Sequence, residues 1–162
     1  MPHCNLRRRG VDLAQTAERQ ALLTGVATES QRVLVLTEGV VSYLTVDEAG
    51  VLATDLHSHP AFAYWVVDRF SSAMIRLRRQ APFARQLKHA PLQFLPEDWD
   101  QFFAIRGWRQ RELKSLAVES QRLGRGLPPG MPWWAQLIWP LVPEERKAKL
   151  NAMAGYALLE RV

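Results

Sequence analysis

One run of residues limits the architectures open to this chain more than any other. RVLVLTEG, residues 32–39, carries after Arg32 a stretch of apolar and β-branched side chains that do not alternate with polar ones. A strand with one wet face alternates, whereas a parallel strand covered on both faces reads as a continuous hydrophobic run. The expectation is therefore a strand buried on both faces. Directly after it, Thr45 and Glu48 have the spacing of a capping box, and Val46, Ala49, Leu52, Ala53 and Leu56 recur at helical intervals up to His57. Strand, turn and helix form one unit.

The unit repeats. After Pro60 comes a second apolar run, FAYWVVD (62–68), with Asp68 read as a turn residue at its end and Ser71 as the cap of a helix through Met74, Ile75 and Arg78. Upstream, residues 8–13 suit a short strand ending at Asp12, and Thr16 is placed to cap a helix carrying Ala17, Ala21 and Leu22 that Gly25 would stop. Downstream, Pro96, Glu97 and Asp98 suit the first turn of a helix that turns Trp99, Phe102 and Phe103 inward and ends at Gly107. Trp108 opens a strand toward Leu113, a helix follows through Leu116 and Glu119, another covers about Pro143 to Met153, and an apolar strand after Gly155 closes the chain. Alternation of this kind places the chain in the α/β class, a parallel sheet with helices packed on it.

With 162 residues and 48% hydrophobic content, the chain suits one globular domain spanning 1–162. Its apolar stretches fall short of the ~20 residues a membrane-spanning helix needs, so no membrane is expected. Arg7 to Arg9 resemble the start of an export signal, but no apolar segment follows, and the expected location is the cytoplasm. The single cysteine, Cys4, has no partner for a disulfide, and His57 and His59 lack further ligands at metal-binding spacing; no metal is implied. The same histidines read as solvated at a helix end. A formal charge of +5 raises the question of nucleic acid. The clusters at Arg7 to Arg9, Arg76 to Arg79 and Arg106 to Arg111 are separated by apolar elements, without a recognition helix or aromatic platform, and solvated helix faces account for them. The GRGLPPGMP stretch (124–132) reads as a loop rather than a phosphate cradle, since it does not join a strand to a helix. Trp133, Trp134 and Trp139 read as core.

The segment VLVLTEGVVSYLTVDEA (33–49) resembles the strand-turn-helix of the leucine carboxyl methyltransferase family, which belongs to the class I S-adenosylmethionine-dependent methyltransferases. The matching residues are Glu38, Gly39, Val40, Val41, Tyr43 and Leu44. VDLA (11–14) is similar to the family's Asp-Leu pair, and WVVD (65–68), FFAIRGW (102–108) and GYALLER (155–161) follow in the family's order. The resemblance implies S-adenosyl-L-methionine as cofactor, with the Asp12 carboxylate accepting from the adenine amine, Leu13 against the ring and Glu38 beside the methionine portion. Tyr43 would lie on the substrate side by its position in the motif. No catalytic residue is assigned. The expected reaction is O-methyl transfer to a carboxylate or hydroxyl, on a small molecule or a protein; a carboxylate acceptor is already ionised at neutral pH and needs alignment rather than a base.

The resemblance also implies a fold of which this chain carries the C-terminal part: no strand with a glycine-rich loop precedes Asp12, and residues 1–10 are too few for two strands and their crossovers. An N-terminally truncated sheet would expose one flank, which favours self-association or pairing with a homologous chain. Two alternatives to an active methyltransferase follow. One is a noncatalytic partner that binds a fuller homologue; the other is a basic module for nucleic acid.

Overall fold

The computed structural model describes residues 4–78, 91–125 and 141–162. Helix α1 (Thr16–Glu29) leads to β1 (Val33–Thr37), a 3-10 turn (Val41–Tyr43), α2 (Val46–Ser58) and β2 (Phe62–Phe70). After α3 (Ser72–Arg78) come α4 (Trp99–Ala104), β3 (Trp108–Ser115), α5 (Leu116–Arg122), α6 (Glu144–Asn151) and β4 (Ala154–Arg161). The four strands form one sheet in the order β1-β2-β4-β3. β1 and β2 are parallel, joined through α2, whereas β4 runs antiparallel to both β2 and β3. The fold is thus α/β with a mixed sheet, not the all-parallel one that strand-helix alternation suggests.

Local chemistry explains most of the boundaries. Thr45 caps α2 by accepting from Glu48 N, while the Glu48 carboxylate accepts from Thr45 N at 2.8 Å, the reciprocal capping box read from the sequence. That hydrogen bonding also holds the Glu48 carboxyl below the usual range. Ser71 accepts from Met74 N at the start of α3, Asp98 from Gln101 N at the start of α4 and Ser115 from Val118 N at the start of α5. Pro96 and Glu97 precede α4 instead of forming its first turn, and α6 is shorter at both ends than expected. Gly155 sits within β4 where a Cβ would come 2.4 Å from the Lys114 carbonyl oxygen, so only glycine lets β3 approach there.

The core lies on one face of the sheet. Ala49, Leu52, Ala53 and Leu56 of α2 pack with Trp65, Val67, Ala157 and Leu159, and Phe102 and Phe103 of α4 join them. Trp65 meets Trp108 edge-on at 5.7 Å and Phe103 at 5.4 Å. Both buried indoles have partners: Trp65 Nε1 donates to Thr37 Oγ1 and Trp108 Nε1 to the Ala53 carbonyl, each at 2.9 Å. α1 is fastened to α2 by the buried Arg19, whose Nε lies 2.7 Å from Asp55 Oδ2 and whose Nη1 donates to the Leu13 carbonyl.

Several expectations fail for identifiable reasons. The strand at 32–39 is shorter and is covered on one face only: Leu34 and Leu36 remain 61% and 62% exposed. β1 is an edge strand, and apolar composition alone does not reveal what lies over it. Residues 8–13 form no strand; the chain turns at Asp12, whose carbonyl and Oδ1 accept from Gln15 N and Ala14 N. Thr16 is the first residue of α1, not its cap, and the helix passes through Gly25 to Glu29, since packing of Leu23 and the Arg19 anchor outweigh a glycine cost of about 1 kcal/mol. His57 and His59 are half-buried, not solvated: His57 stands edge-on to Trp108 and His59 to Phe62. Arg109 and Arg111 lie on β3, not on a helix, and both pair with Glu160. Residues 126–132 of the Gly/Pro stretch, together with Trp133, Trp134 and Trp139, lie outside the described residues. Among the described residues, no helix is long and apolar enough to cross a membrane.

Candidate functional site

Parallel strands with a crossover helix bring their carboxyl ends to one side of a sheet, where connecting loops leave room for a ligand. Here β1 ends at Thr37 and passes into Glu38 and Gly39, the latter with φ of +62°, before the 3-10 turn. β2 reaches the same side. The turn is tied to β2 by Ser42, whose hydroxyl donates to Asp68 Oδ2. It is tied to the segment before α4 by Gln93, whose N donates to the Ser42 carbonyl at 2.9 Å and whose Nε2 donates to the Tyr43 carbonyl at 3.0 Å.

Two carboxylates meet at this end. Asp68 is 6% exposed, and its Oδ1 is buried without a hydrogen-bond partner among the described residues. Burial raises its pKa; the Ser42 hydroxyl opposes that shift, and the negative charge of Glu38 adds to it. Glu38 is exposed and accepts from the Tyr156 hydroxyl at 2.8 Å. Tyr156 stands opposite Asp68 in the β2–β4 register, so the phenol lies beside both carboxylates. Burial, followed by the hydrogen bond to Glu38, pushes the phenol up to about 12. Tyr156 is consequently a neutral donor throughout the physiological range. The arrangement is an acidic corner with one solvent-accessible carboxylate, one buried carboxylate and a phenol between them.

Asp68 is the residue that sequence reading misassigned. It is not in a turn; pairing of Asp68, Arg69 and Phe70 with Tyr156, Gly155 and Ala154 carries β2 two residues further. No local signal marks Tyr156, which lies 118 residues from Glu38 along the chain. The signal available for Asp68 was its place at the end of an apolar strand.

The other expected residues are distributed around the same end. Asp12 is exposed, and its charge reaches Glu48 in the first turn of α2, which places it on the carboxyl-end side of β1. Leu13 is half-buried beside it. Tyr43, in the 3-10 turn, is 37% exposed. Glu38 and Asp68 are therefore brought together beside the Ser42 turn, which Tyr43 ends, whereas Asp12 and Leu13 belong to the neighbouring turn before α1. Comparison with models of known protein families gives no match, and comparison with curated protein sequences gives none.

Proposed function

We propose that this chain carries the carboxyl-end half of an S-adenosylmethionine-dependent methyltransferase site, directed at a carboxylate or hydroxyl oxygen. The observation that supports this most is the strand order. Two parallel strands joined through a helix are followed by a reversed last strand inserted between β2 and β3. That pattern is the one expected for the C-terminal part of a class I methyltransferase sheet. The Glu-Gly segment that carries the family resemblance lies at the end of β1, on the ligand side of such a sheet.

The residues at this corner suit the cofactor's charge. The exposed Glu38 carboxylate, oriented by Tyr156, offsets positive charge on the methionine portion. Asp68 Oδ1, buried and without a partner, is an acceptor that a polar ligand atom would satisfy. Asp12 and Leu13 are the proposed contacts to the adenine amine and ring, and Tyr43 is the proposed residue on the acceptor side. The bound cofactor would supply the activated methyl group; for a carboxylate acceptor, already ionised, the protein's part is alignment and exclusion of water. Thermal unfolding with increasing S-adenosylmethionine or S-adenosylhomocysteine tests the proposal. A saturable rise in Tm supports it, because a ligand that binds only the folded state stabilises it by mass action; a folded chain whose Tm does not move counts against it.

A second reading is favoured by a different observation. Leu34 and Leu36 stay exposed on β1, one of the two outer strands of the sheet. An open strand edge beside an apolar face suits a chain that acts through another polypeptide, with or without chemistry of its own.

A further inference from the structure

We infer that β1 is the self-association surface of this chain, pairing antiparallel with β1 of a second copy to join two four-stranded sheets into one. The inference does not rest on cofactor binding. It rests on the edge itself. Val33 N donates to the Ala61 carbonyl, and the two-residue alternation of a strand therefore turns the N–H and C=O groups of Leu34 and Leu36 toward the open edge.

The sequence around this edge is complementary to itself. Antiparallel pairing centred on Val35 sets Leu34 against Leu36 of the partner subunit, as a hydrogen-bonded pair using the groups that face outward. The same register brings Arg32 opposite Glu38 of the partner subunit, twice in the symmetric dimer. Leu34 and Leu36 alternate onto one face of β1, and Arg32 and Glu38, in the bends that flank the strand, reach the same face, where Arg32 donates to the Tyr64 hydroxyl and Glu38 accepts from the Tyr156 hydroxyl in the single chain. Arg32 and Glu38 are both exposed. No charge or proline interrupts Val33–Thr37, and like charges do not face each other anywhere in this register. A two-fold axis normal to the sheet makes the contact isologous and closed, so it stops at the dimer. It also merges Leu34 and Leu36 of both copies into one apolar patch of cross-strand pairs.

The consequence for the site is direct. The partner subunit's Arg32 comes beside Glu38, so in the dimer that carboxylate is shared between the partner's cation and the proposed cofactor, and the two compete for it.

Sedimentation equilibrium of the 162-residue chain, from roughly micromolar to millimolar concentration, reads the dimer. Because only one short strand is shared, a concentration-dependent dimer is expected rather than an obligate one. Arg32→Glu or Glu38→Arg alone places like charges in register and weakens the dimer by about tenfold or more. The combined swap restores opposite charges and most of the affinity. Leu36→Pro removes an N–H turned to the edge and abolishes the dimer, with circular dichroism establishing that each variant remains folded. Hydrogen exchange at the Leu34 and Leu36 amides slows as concentration rises. A monomer at every concentration overturns the inference and leaves the edge to a different chain. A dimer indifferent to the charge reversals overturns it too. Neither result bears on cofactor titration of the monomer, so the two proposals fail separately.

Discussion

The Ser42 hydroxyl donates to Asp68 Oδ2 and so fastens the 3-10 turn after β1 to the carboxyl end of β2. Ser42 is the side-chain partner of Oδ2, while Oδ1 has none among the described residues. Ser42→Ala removes the side-chain hydrogen bond of a buried carboxylate. The expected loss at neutral pH is about 1–3 kcal/mol in denaturant unfolding.

The pH dependence of Asp68 has a definite sign. Its pKa in the folded chain lies above the ordinary value of 3.8, mainly because of burial. A raised carboxyl contributes stability that is fully present below the unfolded pKa and lost as pH rises through the folded pKa. Asp68→Asn keeps an acceptor for Ser42 and removes this loss. The variant is expected to be more stable than the parent above that window and no more stable below it, measured by denaturant midpoints at a series of pH values.

Much of this fold is legible locally. The Thr45–Glu48 capping box, the Ser71 cap, the strand opened by Trp108 and the final strand are all encoded within a few residues of where they act. What is not local is harder to read. Residues 33–37 have the same apolar run whether a layer covers Leu34 and Leu36 or not. β2 extends to Phe70 only because β4 lies beside it, and nothing in residues 62–70 announces a neighbour that begins at Ala154. The candidate site follows the same division: Glu38 and Tyr43 lie in a recognisable segment, whereas Asp68 and Tyr156 acquire their roles from strand pairing.

Tyr156 offers a spectroscopic check of the acidic corner. Ultraviolet titration should reveal a phenol ionising near pH 12 that disappears in Tyr156→Phe, provided the fold persists to that pH by circular dichroism. Its ionisation in the ordinary phenol range, near pH 10, would contradict the contact with Glu38.

The Arg19–Asp55 pair joins α1 to α2 with the arginine 4% exposed. Asp55→Ala leaves a buried guanidinium without its counter-charge and is expected to cost about 3 kcal/mol. Pairing Asp55→Leu with Arg19→Met should recover much of that loss, as read by urea midpoints, because no buried charge is then left alone.

Gly107 turns the chain from α4 into β3 with φ of +80°, and a Cβ there would fall 2.2 Å from His57 Nε2. Gly107→Ala therefore meets both a left-handed backbone and a ring packed against Trp108. A destabilisation of about 2–3 kcal/mol is expected. His57→Ala in the same chain removes the steric part, so the double variant should lose less than the sum of the two single changes.

The central claim is that the corner formed by Glu38, Asp68 and Tyr156 belongs to a cofactor half-site. Calorimetric titration of the 162-residue chain with S-adenosylmethionine and S-adenosylhomocysteine tests it most directly, with Glu38→Gln and an Asp12→Ala, Glu38→Ala double variant alongside. The account predicts saturable binding in the parent chain, weaker by about tenfold for the sulfonium ligand in Glu38→Gln and lost in the double variant. A folded chain that takes up neither ligand, or binding that both variants leave unchanged, would contradict it.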